Sequence, residues 1–583
     1  MAEASYKARL RDLFGKDWCD AVLTGDYFPV LPCSIQDVDL TAVLPTLFYL
    51  FRFGRRRGQG RFAEVFGERA TVEHVAARLA TSRYCQGFDD APTQTILGDL
   101  LLGFCLENRD RSERKDEPIQ RALPVHYFAS RLDLPPDSSD LRYVPEMLVA
   151  LLADQPGPVV EPTPDGLATP FPVGARFREN LLLKPFVTGV TVHGLAGDLT
   201  ADRFDETTPV TLQEWLMIRL ADLLERAPKS MVGRFAPIVN RRPLAARAAR
   251  VFRTDLETFM SAYGETMPRG VLLNLLESAL AIGMTTLLTS TAQLILDWAE
   301  TGSVPTDQHP MPLFLDASNG RDQELRAASK KVMDEAVKQM ANIPAVLMTL
   351  RLLDYEARCD AELGPQLPPD APDAHERINL LGDVWFERRV GAGRILDELG
   401  RKALRLAEVW ADDAPMLAKK LRAPMSPHAR VRVLAETLVE LRGTKQANKW
   451  FALFDSCLLC DHPRGLAVKR AAAAGGRQPP RLTLLTDDVL DYLAHLWCAH
   501  AARRRLPATF NHFLNMTRER YGFYTVTSPS AVRLPGKLLN QNQQHLEMRL
   551  RDLGLLASVS DAEAMKRLQA RFVVAPLTTG GTA

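Results

Sequence analysis

The sequence predicts a mainly α, multidomain helical protein with a small β-containing insertion. Three observations lead there. The chain has 583 residues, enough for about three to five domains. Its composition, 46% hydrophobic and 25% charged, is that of an ordinary globular protein and excludes global disorder. Apolar residues recur near every 3.6 positions along most of the chain, the spacing that lines one face of a helix.

In chain order, this periodicity marks helices over 5–25, 36–53, 70–82 and 93–107, which make an N-terminal helical domain (1–154). The next stretch, 155–210, opens with QPGPVVEPTPDGLATPFPVG, whose density of Pro and Gly denies it helical geometry. Alternation of β-branched residues over 187–192 then predicts a small β element or an extended arm. Helices over 211–227, 250–264, 268–300 and 322–355 form a central domain (211–362). Thr211 with Glu214 three residues on has capping-box spacing, and Asp202 also precedes an apolar-periodic run. After the linker LGPQLPPDAPDAH (363–375), helices over 376–411 and 429–459 belong to a basic helical domain (363–480). A second linker, AAAAGGRQPPR (471–481), leads into a C-terminal module (481–583) with helices over 486–505 and 536–553. Its last residues, PLTTGGTA, are expected to fray. No repeat of fixed period runs through the chain, so a regular solenoid is not expected.

Residues 278–296, SALAIGMTTLLTSTAQLIL, are uncharged over a length that just spans a bilayer. Ser, Thr and Gln interrupt the run, Glu277 and Asp297 bracket it, and no basic flank sets an orientation. The expectation is a buried core helix and no membrane. The N-terminal MAEASYKARLRDLFGKDW has charges throughout and no apolar stretch, unlike a signal peptide. Eight cysteines in so long a chain are not a disulfide framework, so reduced thiols in a cytoplasm are expected. The excess of Arg over Lys, 56 to 16, points to a GC-rich bacterial genome.

Net charge is close to zero, but its distribution is uneven. Residues 401–583 carry 28 basic and 15 acidic side chains, and residues 1–400 carry 44 and 56. Such asymmetry fits either a polyanionic partner or two parts of one chain packed together. The motifs of common chemistries are absent. There is no G-x-x-x-x-G-K-[ST] cradle and no G-x-S-x-G elbow. Gly391-Ala392-Gly393 lacks the third glycine of a dinucleotide loop, and His375-Glu376 lacks the second histidine of a zinc protease. Glu113-Arg114-Lys115 has nuclease-like spacing inside a fully charged run, and reads as a solvated loop. The candidate metal ligands are Cys457 and Cys460, at C-x-x-C spacing, with His495 and Cys498 three apart on a helix. Together they make a possible structural zinc site, against the alternative of buried core thiols; His462 and His500 are spare ligands.

Two basic segments suggest nucleic acid. In FRFGRRRGQGRF (51–62), glycines break an apolar helix and leave Arg52, Arg55, Arg56, Arg57 and Arg61 placed to meet phosphates. Arginines at a helix C-terminus also suit the helix dipole without any partner. In the C-terminal module, one helix ends in Arg503, Arg504 and Arg505, a second covers LPATFNHFLNMTRERYGF, and a third, polar helix runs into LRDLGLL. This order over 486–575 resembles a winged helix-turn-helix. The resemblance implies that the third helix enters the major groove, with Lys537, Asn540, Gln541 and Gln544 at its front and Arg533 on phosphate. The segment SVSDAEAM departs from a phosphate-facing wing by its Asp and Glu. The expected function is a non-enzymatic, DNA-associated subunit of a bacterial multiprotein complex that also binds other protein subunits. Restriction or anti-phage defence is the setting envisaged. The alternatives are a helical scaffold that binds only protein and a metal-dependent enzyme whose site is scattered in sequence.

Overall fold

The computed structural model describes residues 3–23, 26–58, 60–67, 70–108, 116–134, 141–155, 159–192, 202–225, 227–229, 238–239, 242–367, 374–441, 445–469, 480–557 and 566–575. The architecture is mainly α, as the periodicity predicts. Helices α1 (Glu3–Phe14), α2 (Lys16–Val22), α3 (Val43–Phe53), α4 (Phe62–Phe66), α5 (Val72–Ala80), α6 (Ala91–Phe104) and α7 (Val144–Ala153) form the N-terminal part. The centre holds α8 (Leu212–Asp222), α9 (Ala246–Tyr263), α10 (Arg269–Thr301), α11 (Gln323–Met340) and α12 (Ile343–Cys359). Then come α13 (His375–Trp385), α14 (Ala392–Val409), α15 (Pro415–Arg422), α16 (Pro427–Leu441) and α17 (Lys445–Cys457). The chain closes with α18 (Asp487–Arg503), α19 (Phe510–Tyr521) and α20 (Gly536–Asp552).

Strands are short and pair two by two. β1 (Leu106–Asn108) pairs with β2 (Ile119–Ala122), β3 (Val159–Val160) with β6 (Ile238–Val239), and β4 (Val190–Val192) with β5 (Asp202–Phe204), all antiparallel. β8 (Ala467–Lys469) pairs with β9 (Arg481–Thr483), and β11 (Leu556–Ala557) with β12 (Arg567–Leu568), also antiparallel. β7 (Leu313–Phe314) and β10 (Phe523–Tyr524) pair in parallel, Phe523 against Leu313. The β element expected over 187–192 is thus the β4–β5 pair.

Several element ends differ from expectation for local reasons. The helix expected over 322–355 is two, because Pro344 starts α12 at a new first turn. The helix expected over 376–411 is also two, with Gly391 at φ +89° capping α14. The capping box at Thr211 is present: its side chain accepts from the Glu214 backbone, and Glu214 accepts from the Thr211 backbone at 2.9 Å. Asp202, expected to start a helix, lies instead in β5. Helix α7, VPEMLVALLA, is apolar at every position but Glu146 and so gives little amphipathic signal.

The long α10 is the axis of the core. It is long and apolar enough to cross a membrane, yet 89% of its apolar window is buried inside the protein. Helices α9, α12, α17 and α18 pack around it. Its hydroxyls bond back to carbonyls one turn earlier: Thr286 to Ile282 at 2.7 Å, Thr289 to Thr285 at 2.8 Å and Thr291 to Leu287 at 2.8 Å. Its buried charge, Glu277, accepts from Arg121 Nη1 at 2.9 Å and from Arg464 Nη1 at 2.7 Å. One hydrophobic cluster runs from Leu10 to Leu568 through all five segments expected as domains. A second, small cluster joins Phe314, Leu325, Ala328 and Val332 to Val532, Leu534 and Leu538.

Candidate nucleic-acid interface

The arginine loop after α3 is largely neutralised by the chain itself. Gly54, at φ +63°, ends the helix and turns the backbone. Arg52 points inward and is 2% exposed. Its Nε and Nη2 each donate to the Asp202 carboxylate at 2.9 Å, and the Tyr127 hydroxyl donates to the same carboxylate at 2.7 Å. Arg56 pairs with Glu146 and lies 4.0 Å over the Tyr143 ring. Arg57 pairs with Asp133 at 3.1 Å, and Arg61 with Glu64 at 3.3 Å and with Glu225. Arg55 is exposed and has no carboxylate partner among the described residues. The expectation of a row of phosphate-facing arginines is therefore corrected: four of the five are answered by acids brought from elsewhere in the chain.

The proposed zinc ligands are not brought together. Cys457 ends α17, wholly buried, and burial pushes its thiol far above the usual range. Cys460 sits in the turn beyond it, its Sγ 3.7 Å from Asp455 Oδ1, and burial also raises its thiol. Cys498, in α18, is pushed up to about 12 by burial. His495 Nδ1 donates to the Asp491 carbonyl at 2.9 Å and its Nε2 accepts from the Arg571 backbone at 3.2 Å, so both ring nitrogens are engaged. The spare ligands are engaged too: His462 Nδ1 accepts from the Arg464 backbone at 3.2 Å, and His500 Nε2 bonds Asp255 at 2.9 Å. Among the described residues no group of three or more His, Cys, Asp or Glu side chains is placed to hold a metal ion. Glu113 and Lys115 lie outside the described residues.

The C-terminal residues behave differently. α18 packs on α9 and α10, and its last turn carries Arg503, Arg504 and Arg505 out to solvent. Arg505, at φ +54°, turns the chain so that the Leu506 backbone N–H bonds the Ala501 carbonyl at 2.9 Å. Arg503 lies 3.6 Å from Glu257, whereas Arg504 and Arg505 have no partner among the described residues. Thr509 then caps α19 and bridges to Arg567 of β12. Arg567 is exposed, its side chain has no partner among the described residues, and its strand lies against residues 508–510 at the start of α19. The outer side of α19 presents Asn511, Asn515 and Arg518 to a groove of about 270 Å³, closed by Thr525 and Thr527.

Helix α20 has two unlike faces. Inside, Leu538 packs into the second cluster. Asn542 is fully buried, donating to the Leu315 and Thr525 carbonyls at 2.9 Å and accepting from the Ala317 backbone at 2.8 Å. Gln541 donates to Asp322 at 2.5 Å, and Arg549 donates to the Ala317 carbonyl at 2.9 Å. Outside, Lys537, Asn540, Gln544, Met548 and Arg551 are all exposed. Their spacing of three or four residues puts them on one stripe. Asn540 and Gln544 have no hydrogen-bond partner among the described residues. Pro535 precedes the first turn, no side chain caps it, and Gly536 opens onto free space. Arg533 and Lys537, both exposed, flank this end, where backbone N–H groups and the helix dipole favour an anion.

Six sequence candidates therefore remain exposed and without a partner among the described residues: Arg504, Arg505, Arg533, Lys537, Asn540 and Gln544. Arg503 has an acid nearby, and Gln541 is held. Sequence reasoning missed Met548, Arg551 and Arg567. The first two continue the 537–540–544 spacing and were within its reach, but Arg567 is placed by strand pairing.

The connection from α19 to α20 covers 522–535, not the three- or four-residue turn of a helix-turn-helix. Within it, β10 pairs with β7 of the central part. The winged helix-turn-helix resemblance is not confirmed, and the wing segment 558–565 lies outside the described residues.

No curated protein and no solved structure matches this chain. One family model does match, over residues 26–572, and its description is methylation-associated defense system protein MAD7. A match over nearly the whole chain settles membership: this chain belongs to the family of the methylation-associated defense system protein MAD7.

Proposed function

We propose that this defence-system protein is a DNA-associated subunit of a larger assembly, and that its C-terminal module docks duplex DNA. The observation that carries the reading is the set of exposed cations without an acid partner among the described residues: Arg533 and Lys537 at the start of a helix with an open amide stripe, and Arg504, Arg505 and Arg567 elsewhere in the C-terminal module. A cation with no intramolecular partner is free to replace the counterions of a phosphate. The arginine loop at 51–61 contributes little beyond Arg55, because its charge is spent inside the chain. The family description fits a setting in which DNA is handled.

The test is anisotropy of a labelled mixed-sequence duplex titrated with the full chain. Five phosphate contacts make affinity fall several hundredfold, to order of magnitude, between ~50 and ~200 mM salt. Arg533→Ala with Lys537→Ala should weaken binding and make the log–log salt slope shallower by about 2, whereas Arg56→Ala should leave that slope unchanged. Absence of binding at the lower salt overturns the reading.

A second reading, a helical scaffold that binds only protein, is favoured by Val390, Leu404, Val409 and Met416. These large apolar side chains of the α13–α15 region face solvent, Val390 at 85% and Met416 at 71% exposure. It expects a stable protein complex and no salt-dependent affinity for DNA. No arrangement of described residues supports the metal-dependent alternative.

A further inference from the structure

The polar helix α20 carries a run of five amides, Asn540 to Gln544, and the fold disposes of them unequally. Asn542 is consumed by three backbone partners, Gln541 by Asp322, and Gln543 by Glu547 at 2.9 Å. Asn540 and Gln544 remain open, four residues apart on the outward stripe. Lys537 precedes them and Arg551, exposed but 3.6 Å from Glu547, ends the stripe about 21 Å along the axis. Long basic side chains at that separation reach the phosphates on both sides of a major groove roughly 12 Å wide. Between them stand two open amides and Met548, which is 47% exposed. An amide oxygen and N–H₂ match the N6 donor and N7 acceptor of adenine, and an apolar side chain suits the methyl of thymine.

We propose that the outward stripe of α20 distinguishes unmodified adenine from N6-methylated adenine in duplex DNA, through Asn540 and Gln544. In a paired adenine one N6 hydrogen is occupied by thymine. The other points into the groove on the N7 side, where an Asn or Gln oxygen accepts it. An N6-methyl group on a paired base occupies that second position. It removes the donor and places a carbon against the amide, so the two-point contact is lost while every phosphate contact stays. The inference rests on the DNA-associated reading above.

The experiment uses the full chain and three duplexes of one mixed sequence: unmodified, N6-methylated at its adenines, and methylated at C5 of its cytosines. Loss of one bidentate contact lowers affinity about 5- to 150-fold, so the N6-methylated duplex should bind weaker by at least the lower figure. The C5-methylated duplex should bind like the unmodified one. Asn540→Ala with Gln544→Ala should bind all three alike, with the salt slope retained, and both positions are exposed enough for the fold to survive. Equal, salt-dependent binding of all three by the natural chain overturns the inference and leaves the DNA reading standing, as does tighter binding of the N6-methylated duplex. Binding of none at low salt overturns both.

Discussion

Arg52 and Asp202 were both misplaced by their local sequence, one as a phosphate ligand and the other as a helix start, and in the fold they are partners. The residues that neutralise the arginine loop come from far away: Glu146 is 90 positions from Arg56 and Glu225 is 164 from Arg61. A basic run shows its charge in sequence but not its acids, which is why the loop looked like an interface. Removing one member of the buried pair leaves the other unpaired in a dry site. Asp202→Ala is therefore expected to cost about 3–5 kcal/mol in denaturant unfolding; a loss below about 1 kcal/mol would mean that Arg52 escapes to solvent. His126 tests burial of another kind. It is fully buried, burial pulls it down to about 4, and its Nε2 donates to the Thr188 carbonyl at 2.9 Å. Between that value and the ordinary ~6.5 the unfolded chain binds the extra proton and the folded one does not. Stability from this site is whole above ~6.5 and is lost as pH falls toward 4, by about 3 kcal/mol in all. His126→Gln should flatten that part of the melting temperature against pH, and an unchanged profile would exclude the site.

Helix α20 has a buried face that bears on stability and an open polar face, and single substitutions should separate them. Asn542→Ala orphans backbone groups at Ala317, Leu315 and Thr525 and should cost about 1–3 kcal/mol or more, since unsatisfied buried groups are expensive. Gln544→Ala, on the open stripe, should shift stability by no more than about 0.5 kcal/mol. Equal effects in denaturant melts would mean that the two faces are not as described. At this scale the sequence was a good guide. Each segment with 3.6-residue periodicity contains helix among the described residues, though 5–25 and 429–459 are each two helices, and the Thr211 capping box is in place. What periodicity did not show were interruptions set by a single residue, at Pro344 and Gly391, and a helix such as α7 with one polar residue, Glu146. Nor did it show which amides of 540–544 face outward. That depends on where β7 and α11 lie, and these are brought to α20 by tertiary packing.

Across the whole molecule, one apolar cluster joins parts that the Pro- and Gly-rich segments seemed to separate. α18 lies against α9 and α10, so the C-terminal module covers the central core directly. A chain ending at residue 480 should expose that core, lose cooperative unfolding and be cut quickly by protease; a truncated chain that melts sharply and resists cleavage would show an independent body instead. The same closure has a consequence during translation. Arg121 is already made when Glu277 appears, but the other partner, Arg464, follows 187 residues later. At ordinary elongation rates the ribosome needs roughly ten to forty seconds to reach it. Throughout that delay the long apolar helix α10 waits, without its later packing partners and holding an incompletely paired carboxylate. Soluble yield in the cell is thus expected to rise with shielding of the nascent chain before its last third emerges.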